Sequence, residues 1–421
     1  MLSIATQVHT DAQALRRRRS WNVRWRWAAV AIVPLVLVAA AVRWQTAAAP
    51  NSIPAEFSKA WERLELGRID EAEKLLEVLM RQKQHGNAYL VLDAAISVSH
   101  KDFEGAESRI QAANLKGALR PYALEVLGKS FFGRQRWYDA ERAFATLAHE
   151  DPQSHVAHYW LGVVYYELHM FGQATREARL TSEIQPNDAR PRILLGSILF
   201  RYGRYHAAAE QYQQALRSTP PDATSNATPT ISLTTSLVKC LAQAGEFEEG
   251  LEKIATVSDP PVELQILRAE CFLGLGMLDE AERECRTVLE HDENQQAAVI
   301  TLAKVGMQQT VTPEHARLLE AELAKKNNDP EVMFLLAQIH GRLGNQQRQQ
   351  ELLTQSQPLM KLQVRSRELM RDIWSQPENV DARLELADIY DELGESAQAK
   401  QWRQAAAGCQ QRIKALQGNA P

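Results

Sequence analysis

Few of the spacings that mark common chemistry occur in this chain. It holds four cysteines, Cys240, Cys271, Cys285 and Cys409. None of them makes a CxxC or CxxCH pair, which argues against a zinc ribbon or an attached haem. No GxSxG, HExxH or GxxxxGK[ST] pattern is present, so nothing suggests a nucleophile elbow, a zinc-protease helix or a phosphate cradle. LGLG, Leu273 to Gly276, follows no strand pattern and reads as a helix-end turn. His149, His155 and His158 fall close together in HEDPQSHVAH. The three-residue step from His155 to His158 at a helix start would allow shared metal ligation, but a loop-and-surface setting explains these residues as well. Cys271 and Cys285 sit on the two helices of one unit, so they would either meet as a disulfide in an oxidising compartment or stay buried thiols. The expectation is a protein that is not an enzyme, with no cofactor and no metal site.

Long apolar runs are also scarce, with one exception. WAAVAIVPLVLVAAAV, Trp27 to Val42, is sixteen residues without a charge. At a rise of about 1.5 Å per residue it would span roughly 24 Å, slightly short of a hydrocarbon core of about 30 Å. Trp21, Trp25 and Trp27 precede or open the run and Trp44 follows it, as an interfacial aromatic belt would.

Charge is distributed to match. The net charge is -4. Residues 1–26 carry six arginines against one acid, Asp11. The rest of the chain is therefore mildly acidic and poorly suited to nucleic acid, whose non-specific affinity comes mostly from phosphate neutralisation. RRRRSWNVRWRW, Arg16 to Trp27, raises the question of a nucleic-acid strip, because basic side chains alternate there with aromatics. Its position beside the apolar run favours a membrane flank instead. A buried core helix, a cleaved signal peptide ending near Ala49 and an uncleaved signal anchor all compete for the run. RRSW matches a twin-arginine signal only loosely, and Pro50 disfavours cleavage just before it. The anchor is preferred, with the arginines cytoplasmic and the body across an inner membrane, in a periplasmic or other extracytoplasmic space.

The body has a period. Residues 121–154, 155–188 and 189–222 align so that Gly128, Gly162 and Gly196 form one column. Ala140, Ala174 and Ala208 form a second, and Pro152, Pro186 and Pro220 a third. Glycine within a helix costs about 1 kcal/mol relative to alanine, so its recurrence implies a close helix crossing. The alanine column is expected to supply the facing small residue, and proline stops the second helix. This 34-residue helix–turn–helix pattern resembles the tetratricopeptide repeat. LLGSILFRYGRYHAAAEQYQQALRSTP, Leu194 to Pro220, is close to a consensus copy. LGRIDEAEKLL, KDFEGAESRI, AGEFEEGLEKI, LGMLDEAEREC and LGESAQAKQW carry the pattern outward on both sides.

The resemblance implies an all-α fold: a right-handed superhelix, a solenoid of helix–turn–helix units, preceded here by one transmembrane helix. The expected organisation is a basic cytoplasmic head (1–26), a transmembrane signal anchor (27–44), a linker (45–52), an N-terminal array (53–222), an inserted loop (223–230), a C-terminal array (231–415) and a tail (416–421). TPPDATSNATPT, Thr219 to Thr230, carries the insertion. Residues 357–376 are expected to form an extra helix outside the period.

In tetratricopeptide proteins, the second, fifth, ninth, twelfth and thirteenth positions of the first helix line a concave groove. By this count the candidate partner-binding residues are Tyr122, Lys129, Phe132, Tyr159, Tyr166, Arg190, Phe200 and Arg201. Aromatics and arginines anchor interfaces, although packing against neighbouring repeats would also account for the aromatics. Family members that grip a C-terminal carboxylate use a lysine and an asparagine from one repeat, with basic residues two repeats on. Arg190 fits that pattern, but Glu125 stands where the lysine would be and Lys129 where the asparagine would be, which argues against such a clamp.

The resemblance thus implies a membrane-anchored scaffold or adaptor that binds a peptide or helix of protein partners during assembly of an envelope complex. The alternative is an accessory subunit of an envelope biosynthesis or export enzyme, docking the catalytic partner or holding a polymer. Self-assembly through the terminal repeats is a third reading.

Overall fold

A computed structural model describes residues 53–81, 87–113, 117–218, 228–325 and 329–418. The expected head, anchor and linker lie outside these residues, as does the chain beyond Gly418. Among the described residues all regular structure is helical, and no helix is long and apolar enough to cross a membrane. The helices are α1 (Ala55–Glu65), α2 (Ile69–Arg81), α3 (Ala88–Ser99), α4 (Phe103–Ala113), α5 (Arg120–Gly133), α6 (Trp137–Glu150), α7 (His155–Glu167), α8 (Phe171–Ile184), α9 (Arg190–Arg201) and α10 (Tyr205–Ser218). They continue as α11 (Thr228–Ala244), α12 (Phe247–Ala255), α13 (Val262–Gly274), α14 (Leu278–His291), α15 (Gln296–Gln308), α16 (Pro313–Lys325), α17 (Pro330–Arg342), α18 (Gln346–Ser375), α19 (Val380–Glu392) and α20 (Ser396–Gly418).

The chain divides between Ala123 and Leu124 into two compact units. In the first, α1–α4 are two helix pairs whose core holds Phe57, Trp61, Ala72, Leu92 and Ile110. In the second, helix pairs from α5/α6 to α15/α16 stack in order, α17 pairs with the long α18, and α19 and α20 follow.

Local chemistry sets the pairing. Each turn from a first helix to a second, except that between α15 and α16, contains one residue in the left-handed region. Glycine supplies it at Gly67, Gly203, Gly245, Gly276, Gly344 and Gly394, where it carries no steric cost. Lys101, Gln135 and His169 hold the same position with side chains. Side-chain caps at Ser154, Asp329, Asn345 and Asn379 accept backbone N–H groups at helix starts.

The glycine column marks close crossings, but the facing group differs from the expected alanine. A Cβ on Gly128 would lie 2.5 Å from the Phe144 ring, and one on Gly196 would lie 2.9 Å from the Tyr212 ring. Both rings occupy the same position on the second helix and lie flat over the glycine. At Gly162 that position is Ala178, so the gap closes differently. A Cβ there would meet the Leu194 methyl at 3.1 Å and the Ala174 carbonyl at 3.5 Å. Ala140, Ala174 and Ala208 are fully buried beside these crossings. A flat ring needs more room than a methyl, which is why glycine faces aromatics here.

Three further points refine the expected organisation. Helix α11 begins at Thr228, inside the expected insert. Residues 357–376 are not a separate helix but the second half of α18, which runs thirty residues with Pro358 inside it. Proline removes one backbone donor there, yet Leu359 packs against two hydrophobic clusters at once and ties the halves together. Cys271 and Cys285 are both buried and unbridged, and burial raises each thiol to about 12.

Gly128→Ala is expected to destabilise the second unit by about 1–3 kcal/mol through overpacking against Phe144. Gly162→Ala should be near neutral, because the gain in helix propensity of about 1 kcal/mol offsets a mild methyl contact. Urea unfolding followed by circular dichroism ranks the two.

Candidate functional site: a face of paired cations and aromatics

The first helix of each repeat spends its small and branched residues on the crossings, which leaves the opposite face for function. Tyr122 belongs to the first unit, where it packs edge-on against Phe57 at 5.0 Å and Trp61 at 4.7 Å. Its ring is therefore part of a local aromatic core. The other expected residues all lie in the second unit.

Phe132 packs between Trp137 and Trp160. Lys129 lies 5.7 Å from the Trp160 ring centre and donates to the Glu125 carboxylate. That pair occupies the two positions where a carboxylate grip would carry its lysine and asparagine. Arg190 covers the Tyr159 ring at 4.7 Å and donates to the Asp188 carboxylate through both Nε and Nη2. Burial raises Asp188, but the Arg190 hydrogen bonds outweigh it and leave the carboxyl below its ordinary value. Burial pushes the Tyr159 phenol upward. Arg201 lies over Tyr166 at 5.4 Å, and its Nε donates to the Tyr166 hydroxyl at 3.0 Å. Phe200 carries Lys239 at 5.9 Å and leans on Tyr205.

Four cation–aromatic pairs thus recur along successive first helices. Such pairs are worth about 0.5–1 kcal/mol when exposed. They also hold long side chains in place, so less entropy is lost when a partner arrives.

The count of positions carries this face further than expected. Lys239, Glu270 and Lys304 occupy the ninth position of later units, and Gln243 and Gln308 the thirteenth. Of these, Gln243, Glu270, Lys304 and Gln308, together with Leu273 and Thr301, line a cleft of about 620 Å3. Burial raises the Glu270 carboxyl above its ordinary value, and Lys304 and Lys239 oppose that rise. The signal lay in the sequence, because extending the same count past the insert identifies these residues.

Of the three neighbouring histidines, His158 is tied into the repeat packing. His158 pairs with Glu177 at 2.8 Å and faces the Pro152 carbonyl, and no group of metal-ligating side chains assembles among the described residues.

The tetratricopeptide repeat family matches at residues 126–178 and 168–223. Residues 126–223 are tetratricopeptide repeats. A stretch of 165 residues is 27% identical to cellulose synthase 1 operon protein C of Komagataeibacter xylinus. That match covers 37% of this chain and 12% of the relative, so the chain spans about an eighth of that protein's length. Among solved structures, a tetratricopeptide repeat protein from Parabacteroides merdae is similar at 18% identity and a TM-score of 0.36, covering 59% of this chain and 97% of that one. The human IFIT1 dimer with m7Gppp-AAAA is similar at 13% identity and a TM-score of 0.41, covering 83% and 88%. A helical repeat fold is the coarse description this match supports.

Within the repeats, Tyr159 and Tyr166 should behave differently. Tyr166 packs against Phe171 and a large apolar cluster, whereas Tyr159 has Arg190 on one face and Trp160 at its edge. Tyr166→Ala should cost about 2 kcal/mol and Tyr159→Ala less than about 1, read as thermal midpoints by circular dichroism.

Proposed function

We propose that this chain is a scaffold or adaptor whose repeats bind a peptide or helix of a partner protein. The observation that carries this reading is the run of cation–aromatic pairs Lys129/Trp160, Arg190/Tyr159, Arg201/Tyr166 and Lys239/Phe200 on one face. Aromatics and arginines supply contact area and charge together, as interface anchors do. The face mixes cations with Glu125, Glu167 and Glu270, which suits a polypeptide carrying both aromatic and charged residues rather than a uniform polyanion.

The sequence of Trp27–Val42 and its arginine flank support anchoring in a cytoplasmic membrane, N-terminus inside and repeats on the far side. In that setting the scaffold would gather proteins of an envelope complex. The likeness to cellulose synthase 1 operon protein C favours a second reading, an accessory subunit of a polymer-making or export machine.

Capture from solubilised native membranes, with mass spectrometry of what is held, tests the first reading. Arg190→Ala combined with Lys239→Ala should reduce partner recovery at least about tenfold while the melting temperature stays within a few degrees, since exposed pairs add little stability. Unchanged recovery would sink the proposed face. Retarded migration of the protein in a gel containing neutral glucan, with no protein captured, would favour the second reading.

A further inference from the structure

The last helices dock on the repeats in a manner unlike any repeat crossing. Residues at or next to the helix-to-helix turns of three repeats, Tyr138, His169, Gly172 and Tyr202, form an edge that meets α18–α20. Trp402 stacks on His169 with ring centres 4.0 Å apart, and Trp374 meets Tyr202 at 4.2 Å. Tyr138 donates to the Gln404 carbonyl at 3.2 Å, and its hydroxyl fills the space that a Cβ on Gly408 would need. Pro377 lies 3.7 Å from where a Gly172 Cβ would sit.

This contact is poorly satisfied. Among the described residues, seven buried side-chain polar atoms lack a hydrogen-bond partner, and five belong to His169, Gln173, Thr175 and Arg383 at or beside it. Arg383 is fully buried, and only its Nη1 is matched, to the Asn379 carbonyl. Permanent interfaces rarely leave a buried guanidinium so incompletely paired.

The contact is also loose at its flanks. One cleft of about 890 Å3 opens between the start of α8 and residues 376–381. Another of about 510 Å3 opens between α8–α10 and Trp374. Finally, His169 has φ 53° at the position where most units use glycine, so backbone strain is accepted to place its ring against Trp402.

We propose that α18 from Pro358, α19 and α20 form a releasable latch on this turn edge, and that release bares the edge and the packed side of the Tyr166 ring to a partner helix carrying an exposed aromatic. Such a helix would take the place of Trp402. Pro358 is the natural hinge, because the helix lacks one backbone bond there. The partner rests on the protein-binding reading, whereas the latch does not.

Acid should favour release. Burial, with Arg201 and Arg383 facing the ring, lowers His169 to about 3 against an ordinary 6.5. Arg201 also acts on Glu167 and Tyr390, and Arg383 on Tyr138, Tyr202, Glu378 and Cys409. The docked state therefore needs neutral His169. Docking is at full strength above about pH 6.5 and weakens up to about tenfold per unit as pH falls below it.

Cys409 reports the latch. It is buried near the contact, facing the Pro377 carbonyl, while Cys240, Cys271 and Cys285 are buried within repeats. In the full chain, labelling with 4,4'-dithiodipyridine read by mass spectrometry should modify Cys409 at least about tenfold faster than the other three. The ratio should rise between pH 7.5 and 5.5. Trp374→Ala with Trp402→Ala should make Cys409 fast at both pH values and leave the other thiols unchanged. His169→Gly removes the ring and relaxes the turn, so it should do the same in a fully folded chain. A single common rate for all four thiols in the native protein would overturn the latch. So would a His169→Gly chain whose Cys409 keeps the native rate and pH response.

Discussion

Everything in the second unit depends on the close approach of paired helices over glycine. Where Phe144 and Tyr212 lie flat on Gly128 and Gly196, the two helices of a repeat come near enough to bury their alanines completely. Dense packing of this kind is sensitive to single methyl groups. It also fixes which way each first helix faces. With one side committed to the crossing, the opposite side carries the positions where cations and aromatics collect. Function is thus a consequence of a packing rule repeated along the chain.

The same rule shows where the architecture departs from simple repetition. Stacked repeats touch mainly their neighbours, yet Tyr138 reaches Gln404 across most of the unit's sequence. That contact joins ring stacking to a shared apolar cluster in which Phe171, Ala174 and Leu194 meet Leu369, Leu386 and Ala405. It leaves Arg383 and His169 with unmet hydrogen-bonding capacity. The repeats are built for permanence, and the C-terminal contact is built for exchange.

The repeat fold was legible because glycine, alanine and proline recur at a spacing that only a helical pair explains. The partner of the glycines was misassigned to the alanines, since period alone does not say which residue crosses over which. Repeat position alone puts Tyr159, Arg190 and Arg201 on the candidate face, whereas their pairing across helices is visible only in the structure. Tyr122 was harder to place because Phe57 and Trp61, which cover part of its ring, lie more than sixty residues earlier in the chain. His169, Trp402 and Arg383 were not found at all. They are far apart in sequence, and each looks ordinary within its own helix. The continuity of α18 through Pro358 was also hidden, since proline usually ends a helix and only tertiary packing by Leu359 offsets that tendency.

The central claim is that the face opposite the glycine crossings receives a partner protein. A photo-reactive phenylalanine analogue placed at Tyr159, and in a separate chain at the exposed Arg142 of α6, tests it in intact cells. The account predicts a discrete cross-linked adduct to a second protein from position 159 and none from position 142. Adducts from 142 alone, or equal adducts from both, would contradict it.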